Sequence, residues 1–339
     1  MVRRVILTKN QPEEKFKNFI TEITEDMETL TFILCITHLA DLDGLFSALL
    51  VNKREFTRNI IIIAIDNADD EWLKECINKI FKAGINVQRL YVTDIGLQDE
   101  THEYIHEFIQ PTYMYYIDHH QSALSQKKLL DTLYDEVIID TNYCAAYNCF
   151  TYLRISDHLF EEYQRYIMYV NDRDLFLRKY PVSDELNYLY KILGFHRMFD
   201  LILNDEKIID DNGSISDKYS FIIDIEKKKI VDDAKIFINN IKKVDLNYGV
   251  VFGYALYTGR YASDIAEYFR NNTPEHLTDI DVLAFIFNDS VSLRVVNNSD
   301  FNVAKFAKAR GGGGHPKAAG YPLDSQKLLT NEFLASLIR

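Results

Sequence analysis

No stretch of the 339 residues approaches the roughly 18 consecutive apolar residues of a helical membrane span, so no membrane partner is expected. The first residues, MVRRVILTKNQPEE, join two arginines to a short apolar run and then pass directly into acids. They lack the long apolar core and small-residue cleavage site of a secretory leader, which makes a cytoplasmic location the expectation. Cysteine is scarce, and Cys35, Cys76, Cys144 and Cys149 form no CxxC pair. They read as reduced, structural thiols. No internal repeat is evident, and low complexity is confined to Gly311–Gly314.

Positive charge is also in deficit, with 38 Lys+Arg against 51 Asp+Glu and a formal net charge of −13. Residues 1–245 hold 29 basic and 42 acidic side chains, whereas residues 246–339 hold nine of each. A protein that coats long duplexes needs many basic phosphate contacts, and this balance excludes it. Within the neutral part, Lys305, Lys308, Arg310 and Lys317 stand together, with no acid between Val303 and Leu323. An acidic front and a locally basic tail fit metal ions in the first part and a bound anion in the second.

What the chain does have is alternation. TFILCIT (31–37), NIIIIAI (59–65), VQRLYV with its core at 88–92, TYMYYI (112–117) and EVIID (136–140) are short, apolar and β-branched or aromatic. Amphipathic patterns such as LFSALLVNK and EWLKECINKIF separate them, which predicts a parallel sheet covered on both faces. Residues 144–200 read as mainly helical. Asp210–Ser216 has loop chemistry, and FIIDIEKKKIVDDAKIFINNIKK reads as a long connecting helix. After Gly249 the alternation resumes in VVFGYALY, a helix from Ser263, VLAFIFN and VSLRVVNN. The expectation is an α/β protein. A parallel-sheet domain over residues 1–200 is joined by a linker and helix (201–245) to a smaller α/β domain over 246–339. The active site is expected in the cleft between the two domains.

The acids fall at the ends of the strands. Asp41 and Asp43 follow the strand ending at Thr37, Asp94 follows the one ending at Val92, and Asp118-His119-His120 follows Ile117. In an open parallel sheet, ligands bind outside the carboxyl ends of the strands, so these residues converge on one rim. Clustered carboxylates repel one another unless cations neutralise them. Oxygen ligands with a few imidazoles suit Mn²⁺ or Mg²⁺ better than a thiolate zinc site would. One aspartate at a strand end is as often a turn former or helix cap. Asp66 and Asp140, which follow strands without companions, are read that way.

With those residues in view, the chain resembles a known family. THLADLDG (37–44), Asp94, Asp118-His119-His120 and GGGGHPKAAG (311–320) occur in the order seen in DHH phosphoesterases that carry the DHH-associated C-terminal domain. The resemblance spans nearly the whole chain. IDHH alone is a weak signal, but the ordered set is specific. Within that superfamily the chain looks most like the short oligoribonuclease (nanoRNase) branch. It lacks the added nucleic-acid-binding domains of the single-strand exonuclease branch, and the membrane and sensor segments of the cyclic-dinucleotide branch.

The resemblance implies two Mn²⁺ ions, with Mg²⁺ as the alternative. His38, Asp41 and Asp94 would hold one; Asp43, Asp94, His119 and a later acid from YVNDRDLF would hold the other. Asp172, four residues before Phe176, fits the family spacing, and Asp174 is the second choice. His38 stands three residues before Asp41, where the family usually has two, or four with a proline between. Asp118 and His120 would be catalytic, with His120 facing the scissile phosphate and a water activated by the two metals attacking it. Arg294, Gly311, Gly312, Gly313, Gly314 and His315 would grip the rest of the substrate. The substrates implied are short single-stranded RNA or DNA, or small nucleotides such as linear dinucleotides, cut to mononucleotides. A homodimer is left open.

Three other readings stand beside this one. The glycine run leaves backbone N–H groups free to approach a phosphate, but such runs also serve as hinges. His102-Glu103-Tyr104-Ile105-His106 matches the HExxH zinc-protease pattern on a predicted helix, without the HxxGxxH extension. A nucleotide sensor that keeps the fold without hydrolysis is the third, and the intact acids speak against it. The 22 tyrosines and 21 phenylalanines offer many stacking surfaces, and the sequence singles out none.

Overall fold

Runs of isoleucine, valine and leucine too short for helices become the centre of a parallel sheet. A computed structural model describes residues 3–9, 18, 21, 31–66, 69–153, 157–204, 206–246, 249–297 and 300–323, with the backbone alone at 157–162. The chain divides into two compact units, Met1–Ile223 and Asp224–Arg339. The last part of the expected C-terminal domain, residues 324–339, lies outside the described residues.

In the first unit the elements are β1 (Arg4–Leu7), β2 (Thr31–His38), α1 (Leu42–Arg54), β3 (Asn59–Ile65), α2 (Asp70–Lys82), β4 (Asn86–Thr93), α3 (Asp99–Phe108), β5 (Tyr113–Asp118), α4 (Gln121–Leu133) and β6 (Glu136–Ile139). The helices α5 (Ala145–Tyr152), α6 (Asp157–Asp174) and α7 (Pro181–Leu203) follow. The six strands order as β1-β3-β2-β4-β5-β6, all parallel. Ile33, Cys35, Ile60 and Ile62 bury one face beneath α1, α5, α6 and α7. Leu34, Ile36, Ile61 and Ile63 bury the other beneath α2, α3 and α4. Apolar residues at consecutive positions are what a sheet covered on both faces requires.

This order places the site. From β2 the chain turns to one side to form β3, then crosses back past β2 to form β4 on the other side. Such a reversal opens a crevice at the carboxyl ends of the two flanking strands, here β2 and β4.

The second unit begins within α8 (Asp217–Asn239), the long helix expected from the sequence. It continues with β7 (Lys242–Asp245), β8 (Val251–Leu256), α9 (Ala262–Asn271), β9 (Val282–Ile286), β10 (Ser290–Val295), α10 (Val303–Lys308), β11 (Gly313–His315) and β12 (Ala318–Pro322). Its sheet runs β11-β12-β10-β9-β8-β7, with only the β8–β9 pair parallel. Val291, Leu293 and Val295 bury one side of β10 together with Val303 and Ala307 of α10. On the opposite face, Phe237 of α8 stacks on Phe285 with ring centres 4.3 Å apart.

Candidate metal centre

The corner from β2 into α1 carries the first ligand candidates. Asp41 caps α1: its Oδ1 accepts from the amides of Asp43 (3.1 Å) and Gly44 (3.2 Å). Its Oδ2 is left facing His38 Nδ1 at 3.2 Å. The corner is tight enough to require glycine at position 44, because a Cβ there would lie 2.0 Å from the His38 carbonyl oxygen. Asp43 is 1% exposed, and its two oxygens accept from the amides of Ala146 (2.6 Å) and Ala145 (2.8 Å) at the start of α5. A helix N-terminus presents unpaired N–H groups and a partial positive charge, which suits a buried carboxylate.

Asp94 ends β4 and is 2% exposed. Its backbone lies in the left-handed region at φ 55°, which only a few per cent of non-glycine residues adopt. Its amide donates to the Ile117 carbonyl (3.0 Å), which ties the end of β4 to β5. Its Oδ2 is buried without a hydrogen-bond partner and stands 3.9 Å from His38 Nδ1.

At the end of β5, Asp118 is fully buried. Its Oδ2 accepts from Tyr116 Oη (2.8 Å), and its Oδ1 accepts from the His119 amide (2.7 Å) and His120 Nδ1 (2.8 Å). His119 points into the acids, its Nε2 lying 3.5 Å from carboxylate oxygens of Asp43, Asp94 and Asp174. His120 keeps a side chain 40% exposed.

Of the two candidate later acids, the structure brings Asp174 and not Asp172 to the cluster. Asp172 was expected at the centre, but its oxygens accept from the amides of Lys179 (2.8 Å) and Tyr180 (3.2 Å), holding the turn after α6. Asp174 occupies the expected place, with a buried Oδ2 that has no hydrogen-bond partner. Two residues along a helix are about 200° apart around its axis, so the two carboxylates face opposite ways. Downstream of Asp174, Phe176 (φ 54°) and Arg178 (φ 56°) are also left-handed. With Asp94 they are all the non-glycine residues of positive φ among the described residues, and such backbone costs of order 1–3 kcal/mol each.

The ligand atoms form three overlapping groups, each within 4.8 Å: His38 with Asp41 and Asp94, Asp43 with His119 and Asp174, and Asp94 with Asp118, His119 and His120. Burial, reinforced by the charges of neighbouring aspartates, pushes Asp94 and Asp174 well above the usual carboxylate range. Asp118 behaves oppositely. Burial would raise it, but the charge and hydrogen bond of His120 hold it below that range. The same pair carries His120 up to about 9 against its own desolvation. Burial lowers His119 despite the acids around it. Like-charged carboxylates packed this closely, two with an orphaned buried oxygen, fit a hard divalent cation shared among them.

The HExxH reading is overturned. His102 is fully buried, its Nδ1 2.8 Å from Tyr134 Oη, with burial lowering its pKa to about 4. His106 is exposed, and the two belong to no metal-holding group among the described residues. The lone strand-end acid Asp140 binds Asn142 in a local turn (2.8 and 3.0 Å). All four cysteines are free and buried.

In the second unit the expected substrate residues share one row. His315 pairs with Ala318, and Ala318 with Arg294, which places Arg294 and His315 on the same sheet face. Arg294 donates to Ser263 Oγ (3.0 Å), Ser292 Oγ (2.8 Å) and the Leu293 carbonyl (2.9 Å). His315 is exposed. The glycine run is not a hinge. Gly311 (φ 79°) ends the turn after α10, and Gly313 and Gly314 pair with β12. At Gly312 a Cβ would lie 2.0 Å from the Gly320 carbonyl oxygen.

No protein-family model matches the sequence, and no curated protein does. Solved structures match the fold. The DHH domain of a protein described as a member of a family of ribosomal proteins aligns with 97% of this chain and 91% of its own, at 14% identity and a TM-score of 0.59. An exonuclease RecJ bound to manganese aligns with 93% of this chain and 92% of its own, at 12% identity and a TM-score of 0.51. The chain has the fold of DHH-domain proteins. No described helix is long and apolar enough to cross a membrane.

Proposed function

We propose that the protein is a DHH-family phosphodiesterase that uses two divalent ions, Mn²⁺ by preference, to cut short oligonucleotides or linear dinucleotides into mononucleotides. The observation that carries this reading is the convergence of Asp41, Asp43, Asp94 and Asp174 with His38 and His119 at the sheet's switch point. The manganese in the RecJ structure supports the choice of ion.

Under this reading His38, Asp41 and Asp94 hold one ion, and Asp43, Asp94, His119 and Asp174 hold the other. Bound there, the ions supply Lewis acidity toward a phosphoryl oxygen and lower the pKa of a water molecule. The chain contributes charge and position. Asp118 accepts from His120 Nδ1, which orients the ring and favours its protonated form, so that Nε2 would offer a proton to a phosphate oxygen as negative charge develops. Tyr116 holds Asp118 in turn. The α5 amides fix Asp43 so that its carboxylate cannot rotate away. In the second unit Arg294 and His315 bind a phosphate by charge-assisted hydrogen bonds, with Gly311–Gly314 allowing close approach.

The deciding experiment incubates the purified protein with Mn²⁺ and a ladder of 5′-labelled single-stranded oligonucleotides from the dinucleotide upward, as RNA and as DNA. Mononucleotide release confined to the short substrates, and lost in EDTA, is the expected result. Binding without any cleavage would identify a nucleotide sensor instead.

A further inference from the structure

Two residues beyond Asp174 the backbone is strained and the product of that strain is an exposed ring. Phe176 and Arg178 are both left-handed, at φ 54° and 56°, a conformation that bulky residues avoid. The turn is held from several sides. The Phe176 amide donates to the Arg173 carbonyl (3.2 Å), and the Leu177 amide to the Asp172 carbonyl (2.9 Å). The Asp172 carboxylate takes the amides of Lys179 and Tyr180, while Asp184 pairs with both Arg173 and Arg178. Phe176 is nevertheless 52% exposed. The guanidinium carbons of Arg173 and Arg178 lie 6.0 and 5.5 Å from its ring centre. A surface phenylalanine by itself is ordinary. Here a strained turn two residues past Asp174 fixes the ring against two arginines and still leaves about half of it in solvent.

We propose that Phe176 is the stacking platform for the nucleobase of the nucleotide whose phosphate is held at the Asp94–Asp174 cluster. This deepens the phosphodiesterase reading and rests on it. Arg173 and Arg178, both paired with Asp184, pack against the ring and hold its orientation. Every base has a π-face, so the platform tolerates sequence but favours purines, which overlap the ring more. It also selects for strandedness. A base inside a duplex is already stacked on both sides, so the platform accepts a base at the end of a single strand or in a dinucleotide.

The test compares wild type with Phe176→Ala, Phe176→Leu and Phe176→Trp, using Mn²⁺ and two substrates: the dinucleotide ApA and the base-free methyl ester of ribose 5-phosphate. KM for ApA is expected to rise about five- to a hundredfold in the Ala and Leu variants, with kcat little changed. Phe176→Trp restores KM, and turnover of the base-free ester is the same in all four proteins. Equilibrium binding of AMP with Mn²⁺, which involves no turnover, weakens by the same factor. Leucine keeps side-chain bulk and the strained backbone, so a loss shared by Leu and Ala but rescued by Trp separates stacking from misfolding. An unchanged KM and AMP affinity in Phe176→Ala, or full rescue by leucine, overturns the platform. If wild type cleaves neither substrate the phosphodiesterase reading fails instead, and AMP binding still decides whether Phe176 stacks a base.

Discussion

In the first unit Asp94 and Asp174 each bury a carboxylate oxygen that no donor reaches, on or beside left-handed backbone. In the second unit Arg294 donates to two serine hydroxyls and a carbonyl, and His315 stands at the exposed end of the same row. The two regions are prepared differently for a ligand. The carboxylate cluster stores repulsion and strain that a cation relieves, as expected where chemistry is done. In the Arg294–His315 row the arginine is hydrogen-bonded without a ligand and the histidine is open to solvent. Binding energy at the row and reactivity at the cluster should therefore be separable by mutation.

The sharpest attempt to break that separation is at Asp94, which two of the three ligand groups share. Asp94→Ala should lower dinucleotide hydrolysis at least about a hundredfold. The metal-free protein should melt no lower than wild type, since a buried like charge is removed. Asp174→Asn should behave in the same way, and calorimetric titration with Mn²⁺ should find weakened binding in both. Turnover that persists in EDTA would contradict the assignment of the cluster.

At the row the expected effect is on binding alone. Arg294→Ala and His315→Ala should each raise KM for a 5′-phosphorylated dinucleotide about ten- to a hundredfold, the value of a charge-assisted hydrogen bond. Hydrolysis of bis-p-nitrophenyl phosphate, which carries no second phosphate for the row to bind, should change little. Equal losses on both substrates for His315→Ala would move that residue into the chemistry.

Asp172 sharpens the comparison within the first unit, because its carboxylate is engaged by backbone amides and is no part of the cluster. Asp172→Ala should cost about 3 kcal/mol in urea unfolding and leave Mn²⁺ affinity near wild type. Lost metal binding with unchanged stability would reverse the roles given to Asp172 and Asp174.

The smallest effect isolates burial without a cluster. His102 has its pKa lowered from 6.5 to about 4 by burial, so the unfolded chain takes up the proton first as pH falls. Its contribution to stability is complete above pH 6.5 and is lost between 6.5 and about 4. The slope is at most about 1.4 kcal/mol per pH unit. His102→Gln should flatten that limb in urea titrations taken at successive pH values. A slope identical to wild type would show that His102 is not the group responsible.

Much of this was legible in the residues themselves. The apolar runs at 31–37, 59–65 and 112–117 mark strands, because a parallel sheet buried on both faces leaves no alternation to confuse with a helix. The acids behind those strands then share a rim whatever the detailed packing, since parallel strands present their carboxyl ends on one side. Order along the chain was thus enough to bring Asp41, Asp43, Asp94 and His119 together.

What the order of residues could not decide was which way a side chain faces once its element has docked. Asp172 and Asp174 occupy the last turn of α6, and only its packing against α1 and α5 turns Asp174 to the sheet rim and Asp172 to the following turn. His102 and His106 lie one turn apart on α3, yet the docked helix buries the first against Tyr134 and leaves the second in solvent. The glycines of 311–314 read equally as hinge or cradle until β12 pairs with them. Periodicity sets the angle between two residues on one element, but the rotation of that element against its neighbours is set by long-range packing. That rotation selected Asp174 for the cluster, and the turn beyond it placed the ring of Phe176 in the open.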